Sequence, residues 1–260
     1  MKVFDEYSQY YDMLYRDKDY AGEAKYVHSL ITEFKPEAKT IFEMGCGTGM
    51  HAACFADLGY TVTGIDRSTE MLRKAEERRR STNSVVASRL SFCEGDVRSY
   101  VSDKRNEVAI SLFHVMSYMQ TATELEQALA TANHHLLPGG IFIFDCWHGP
   151  AVLADRPISR RKEFENEQVH IERTSIPQMD EKLQRVDVHF DIVIGQKSSG
   201  VKKMLQEDHR MRYLFTEEIA ELAKKNGLEL IHSEEWLSRK PLSEKTWNAC
   251  YVLKKAEDKG

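Results

Sequence analysis

The sequence predicts an α/β fold: a mainly parallel, Rossmann-like sheet covered by helices, with an antiparallel β element inserted late in the chain. Three observations carry this. From about residue 39 to 147, short apolar runs bounded by turn residues alternate with amphipathic stretches, the pattern of a parallel sheet with helical crossovers. The first run, Ile41-Phe42-Glu43-Met44, opens into Gly45-Cys46-Gly47-Thr48-Gly49, three alternate glycines where a strand turns into a helix. From about residue 158 to 214 the period changes to two: Val186, Val188, Phe190, Ile192 and Ile194 alternate with mostly polar residues, as on a half-buried antiparallel strand.

In chain order, Tyr7, Tyr10, Tyr11, Tyr15 and Tyr20 mark an N-terminal lid segment over residues 1–35, which ends in a helix over 20–34. Strands are expected over 40–44, 61–65, 90–94, 108–112 and 141–145. Helices are expected over 49–58, over 69–80 behind a Ser68 cap, and over 124–137, where Pro138-Gly139-Gly140 stops the last. The inserted element spans 151–212, with strands over 169–176, 186–194 and 205–214 and turns at 177–180 and 198–200. A helix over 216–225, ended by Asn226-Gly227, precedes two last strands over 228–231 and 247–253. Residues 36–150 and 213–255 then form one core, and right-handed crossovers put its strand ends on one rim, where ligands of open α/β sheets bind.

Composition narrows the function. The net charge is -5, and Arg78-Arg79-Arg80 and Arg160-Arg161 lie far apart among acidic residues, so they read as solvated faces rather than a nucleic-acid groove. Five cysteines without a C-x-x-C pair read as reduced thiols of a cytoplasmic protein. Cys46, His51 and Cys54 lack a fourth partner, so no metal is expected. The N-terminus is charged where a secretory signal is apolar, and no apolar run reaches membrane-spanning length.

The glycine turn points to a nucleotide-like cofactor. Alternate glycines let backbone approach a ligand and present N–H groups, while Asp66, at the end of the second strand, can accept two ribose hydroxyls. The spacing G-x-G-x-G departs from the G-x-G-x-x-G of dinucleotide sites, which disfavours a nicotinamide enzyme.

An acidic residue, G-x-G-x-G and then an acid ending the second strand resemble the class I S-adenosylmethionine (SAM) dependent methyltransferases. The resemblance implies a seven-stranded sheet. It also implies a cofactor site of Glu43, Gly45, Gly47, Thr48, Gly49, Asp66, Met71, Asp96, Val97 and Leu112. Glu43 would engage the cofactor's ammonium, Asp66 its ribose and Asp96 its adenine amino group; a plain turn aspartate is the other reading of Asp96.

After the fourth strand come Phe113-His114-Val115-Met116-Ser117-Tyr118, with no N/D-P-P-Y/F motif of the kind used on nucleobases and amides. Methyl transfer is an in-line displacement with a good leaving group, so the enzyme mainly supplies alignment, up to roughly 7–11 kcal/mol. A base for a hydroxyl or ammonium acceptor adds typically about 10²–10⁴-fold, and His114 and Tyr118 are the candidates; a hydrogen-bonded core histidine is the other reading of His114. Trp147 and His148 follow the fifth strand toward the acceptor pocket. Arg210 and Arg212, two apart on a strand, suit a phosphate or carboxylate, or else pair with Glu207 or Asp208.

Over nearly its whole length the chain is also similar to methyltransferases of nucleotide-linked sugars, amino-sugar dimethyltransferases among them. The carriers are Tyr11-Asp12-Met13-Leu14-Tyr15, Lys18-Asp19-Tyr20, the glycine turn, the stretch 112–118, the stretch 144–150 and His209-Arg210-Met211-Arg212-Tyr213. This resemblance implies a sugar-nucleotide acceptor, Tyr15 of the lid near the reacting atoms, a second polar residue that Tyr118 fits best, and a homodimer built on the inserted sheet. A small-molecule O-methyltransferase and a non-catalytic SAM-binding protein are the alternatives.

Overall fold

The computed structural model describes residues 14–16 and 18–257. Helix α1 (Tyr20–Phe34) starts at Asp19, whose carboxylate accepts the Gly22 N–H at 2.8 Å, and buries Tyr20, Ala24, Val27, Leu30 and Ile31 along one face. β1 (Thr40–Met44), α2 (Met50–Asp57) and β2 (Thr61–Asp66) follow. α3 (Thr69–Ser81) begins behind Ser68, whose hydroxyl accepts the Met71 N–H. After α4 (Ser84–Ala87) come β3 (Leu90–Glu94), β4 (Asn106–Ser111), a 3₁₀ turn (Val115–Tyr118), α5 (Ala122–His135), β5 (Leu136–Trp147) and α6 (Gly149–Ala154). The inserted strands are β6 (Arg160–Glu165), β7 (Val169–Asp180), β8 (Arg185–Gln196) and β9 (Lys202–Arg212). α7 (Thr216–Lys225), β10 (Leu228–Glu235) and β11 (Asn248–Lys255) close the chain.

The main sheet has seven strands in the order β10-β11-β5-β4-β1-β2-β3; β5 through β3 run parallel, β11 runs against them, and β10, antiparallel to β11, shares their direction again. Its apolar strands are buried on both faces. Along β1, Ile41 packs with Val62, Val108 and α1, whereas Phe42 and Met44 pack with Phe142, Phe144 and Leu129. Each such fully buried side chain contributes about 1.5–3 kcal/mol. Chain order reverses at β1, which has β2 on one side and β4 on the other, and that switch point is where the functional residues converge.

The second sheet, β6-β7-β8-β9, is antiparallel throughout. Ile171, Ile192 and Ile194 pack there against Leu14, and Val186, Val188 and Met211 against Val152 and Tyr213. Three sequence expectations shift. Residues 177–180 continue β7 instead of turning, because β6 ends opposite Ser175 and Pro177 lies where the strand has a single partner, a position that tolerates a missing N–H. Residues 160–165 form β6, a charged edge strand whose lack of alternation hid it from pattern reading. α5 starts earlier, at a Thr121 cap, and ends earlier, so Pro138-Gly139-Gly140 falls inside β5. Tyr7, Tyr10, Tyr11 and the Tyr11-Asp12-Met13 part of the lid lie outside the described residues. Among the described residues, no helix is long and apolar enough to cross a membrane.

Candidate active site

A cavity of about 1150 Å³ opens at the switch point and runs from the glycine turn to the inserted sheet. At its floor, Gly45 and Cys46 both donate their N–H to the Ile65 carbonyl, at 2.8 and 2.9 Å, folding the turn over β2. Gly47 donates to Asp66 Oδ2 at 2.9 Å, and Gly49 to the Cys46 carbonyl at 2.9 Å. The three glycine N–H groups are therefore used within the protein, and the turn offers a ligand clearance rather than these donors. Gly47 supplies it: its φ of 53° suits glycine, and a Cβ there would meet nothing within 4 Å. A Cβ on Gly49 would instead strike Phe92 at 2.9 Å, so Gly49 packs the helix and does not line the cavity.

Two carboxylates flank this turn. Asp66 lies on the cavity wall, held by the Gly47 N–H on one oxygen and the Ser68 N–H on the other, both at 2.9 Å; burial raises its pKa. Glu43 lies beneath the turn, 1% exposed and off the wall, and its Oε2 has no hydrogen-bond partner among the described residues. Burial, assisted by the Asp66 charge, pushes its pKa to about 8. Met71, Val97 and Leu112 supply an apolar stretch of wall beside them, and Thr48 and Asp96 line it too. Asp96 is gripped by Arg98, accepting its N–H and Nε at 2.9 Å and Nη2 at 2.6 Å, and this pairing lowers the Asp96 pKa.

The turn after β4 is sharp: Phe113 and His114 have φ values of 65° and 62°, a conformation that costs non-glycine residues energy. Asp145, at the end of β5 and 1% exposed, holds it. Its two oxygens accept the His114 N–H at 3.3 and 3.2 Å, and His114 Nδ1 lies 2.7 Å from Oδ2. Sequence reading passed over Asp145; an acid ending the strand beside the one that carries His114 was the available signal. Tyr118 follows on the 3₁₀ turn, its hydroxyl 2.6 Å from His209 Nδ1 on β9, and burial pushes its pKa up. Tyr15 packs edge-on against Phe113 at 5.0 Å and accepts a hydrogen bond from Arg173 at 3.2 Å. Tyr15, His114, Tyr118 and Trp147 thus ring the middle of the cavity.

Two expected residues are absent from this ring. His148, next to Trp147, points the other way along the strand, to the Thr246 carbonyl at 3.1 Å, where burial lowers its pKa. Arg212 is buried against Glu218 at 2.6 Å and Gln184 at 2.9 Å, because β9 ends there and α7 brings Glu218 to it; Arg210 stays exposed on the wall. Other cations take the place of Arg212. Arg156, Arg160, Lys162 and Arg173 join Arg210 at the far end, where Asp155 and Asp208 also line the wall and Arg156 pairs with Glu181. Arg173 is the most enclosed, its guanidinium 5.1–5.5 Å from the Phe190, Tyr15 and Phe164 ring centres.

Residues 41–140 match the model of the family described as "Methyltransferase domain", and that stretch holds the glycine turn, Asp66, Asp96 and His114. The chain is 28% identical over 199 residues to dTDP-3-amino-3,4,6-trideoxy-alpha-D-glucopyranose N,N-dimethyltransferase of Streptomyces venezuelae, covering 76% of this chain and 79% of the relative. The chain carries a methyltransferase domain on the class I fold and is a SAM-dependent methyltransferase enzyme. The methyltransferase is likewise 28% identical to dTDP-3-amino-3,6-dideoxy-alpha-D-glucopyranose N,N-dimethyltransferase of Streptomyces fradiae, over 84% of this chain and 81% of that one. Its fold superposes on the SAM-bound amino pentose methyltransferase CalS10 from Micromonospora echinaspora with a TM-score of 0.76, at 21% identity, covering 98% and 99% of the two chains. SAM is its cofactor, and the residues fit it: an orphaned buried carboxylate oxygen under the turn, open space at Gly47 and an anchored acid on the wall.

Proposed function

We propose that this methyltransferase methylates the amine or hydroxyl of a nucleotide-linked sugar, an amino sugar first. One observation carries the reading: a single cavity joins the glycine turn, through the ring of Tyr15, His114, Tyr118 and Trp147, to a cationic end built by the inserted sheet. That arrangement suits an acceptor with a reactive sugar at one end and a diphosphate at the other, since guanidinium groups pair with phosphate oxygens. The substrates named for the two Streptomyces relatives have this chemistry.

SAM supplies an electrophilic methyl group on a sulfonium that leaves readily. Asp66, with two lone-pair sites already engaged, would accept the ribose hydroxyls with the others; Glu43 would face the ammonium from beneath the turn, and Met71, Val97 and Leu112 would cover the adenine, with Asp96 at its edge. Tyr15, His114 and Tyr118 would hold the acceptor in line, with Trp147 against the sugar. His114, whose ring nitrogen Nδ1 lies 2.7 Å from Asp145, and Tyr118 are the two groups able to take its proton. We also take the protein to be a cytoplasmic homodimer. Five free thiols fit a reducing compartment, and the exposed Ile158, Val201 and Met204 fit a second copy against the inserted region.

The test is mass spectrometry of dTDP-3-amino-3,6-dideoxy-α-D-glucopyranose incubated with SAM and the protein. A gain of one or two methyl groups is expected; an unmodified sugar, with SAM intact, would contradict the proposal. The His114–Asp145 pair also favours a second reading, a hydroxyl acceptor, because an alcohol needs a base more than an amine does. The 3-hydroxy analogue in the same assay separates the two.

A further inference from the structure

We propose that the acceptor's proton leaves the site through Tyr118 to His209, with Glu207 holding the imidazole in the tautomer that receives it. The proposal rests on the methyl-transfer reading of the cavity and gives the inserted sheet a part in the chemistry. Tyr118 Oη lies 2.6 Å from His209 Nδ1, and His209 Nε2 lies 3.0 Å from Glu207 Oε2. Glu207 and His209 are both 7% exposed. An ionised carboxylate only accepts, so Nε2 carries the hydrogen and Nδ1 presents a lone pair; the Tyr118 hydroxyl therefore donates to it. Phe190 stands edge-on to the imidazole, 5.0 Å away at 90°, and fixes its plane.

The relay answers a chemical difficulty. A neutral tyrosine that takes a proton must give up its own, so it works as a base only where a further acceptor lies behind it. His209 is that acceptor. For each methyl gained, one N–H bond of the acceptor breaks with its electron pair left on nitrogen. That proton goes to the Tyr118 oxygen, the original hydroxyl proton goes to His209 Nδ1, and the imidazolium stands beside the Glu207 carboxylate. When product leaves, water in the cavity, which His209 also lines, takes the proton away. Among the described residues, the other charged or titratable groups near the relay include Arg173 of β7, across Phe190, and Arg67 and Tyr15, both of which act on Tyr118; His189 of β8 instead pairs with the exposed Asp208.

Two measurements test this. Proton–nitrogen correlation spectra of nitrogen-labelled histidine, with His209 assigned from a His209→Asn variant, report the tautomer of the resting protein at neutral pH. A hydrogen on Nε2 is expected; a hydrogen on Nδ1 would make His209 the donor to Tyr118 and overturn the relay, whether or not any acceptor is turned over. The second is the pH profile of kcat with dTDP-3-amino-3,6-dideoxy-α-D-glucopyranose. Glu207→Gln removes the carboxylate that stabilises the imidazolium, so kcat should fall by about 10-fold or more and its acidic limb should move to lower pH, with KM and S-adenosylhomocysteine affinity kept. A purely structural Glu207 would leave the limb in place. Parental kcat and an unmoved limb in Glu207→Gln would sink the proposal, whereas a parent protein inactive on every acceptor would instead sink the methyl-transfer reading.

Discussion

Replacing Asp66 with alanine should cost most of the cofactor affinity, and the structure sets the size of the effect. The carboxylate spends one lone-pair site of each oxygen on the Gly47 and Ser68 N–H groups, leaving two for the ribose hydroxyls. Hydrogen bonds to a charged acceptor are worth about 1.5–3 kcal/mol each, so losing two removes about 3–6 kcal/mol. At tenfold per 1.4 kcal/mol, Kd should rise by about 10²–10⁴. Alanine also leaves two backbone donors without their acceptor, which lowers stability, so Tm must be measured beside affinity. Asp66→Asn keeps an oxygen for one donor and loses the charge, and should fall between parent and alanine. Isothermal titration with S-adenosylhomocysteine reads all three proteins. An Asp66→Ala protein that is folded and binds within about twofold of the parent would refute the ribose assignment.

Further predictions concern the neighbouring groups. Glu43, with a pKa of about 8, is mostly protonated at neutral pH, and a cofactor ammonium beside it favours the charged form. Binding of S-adenosylhomocysteine should therefore release up to about one proton, read by titration in buffers of different ionisation enthalpy, and Glu43→Gln should abolish the release. The stability sign follows from the same shift. A carboxyl whose folded pKa is raised loses stability as pH climbs from its unfolded value toward 8, so the Tm of the cofactor-free parent should fall over that window and that of Glu43→Gln should fall less. Asp145→Asn should lower kcat by about 10-fold or more by loosening the His114 ring and its strained turn, with acceptor KM little changed; parental kcat would show that the pair is idle. Arg173→Ala should raise KM for a dTDP-linked acceptor and flatten its salt dependence while leaving S-adenosylhomocysteine affinity intact, and an unchanged KM would remove Arg173 from the diphosphate end.

Much of the main sheet was legible because its strands are buried on both faces and read as apolar runs, and because the glycine turn marks where β1 gives way to α2. β6 was not, since Arg-Arg-Lys-Glu-Phe-Glu carries charge on both faces of an edge strand. Spacing of two put Arg210 and Arg212 on one face, but it could not show that Arg212 is taken up by Glu218, which lies on an element the strand pattern does not contain. The glycines were read as N–H donors, yet those donors close the turn onto Ile65, Asp66 and Cys46. Tertiary pairing explains the rest of what was hidden. Tyr118 and His209 are 91 positions apart, and His114 and Asp145 are 31 apart on neighbouring strands, so neither pair leaves a local signal.

The account's central claim is that one cavity aligns a methyl donor at the glycine turn with a nucleotide-linked acceptor at the inserted sheet. A crystal structure with S-adenosylhomocysteine and dTDP bound together tests it most directly. The ribose of the former should lie on Asp66 with its sulfur facing Tyr15, His114 and Tyr118, and the diphosphate of the latter should lie against Arg173 and its cationic neighbours. A dTDP bound away from the inserted sheet, or a sulfur turned away from those three residues, would contradict the claim.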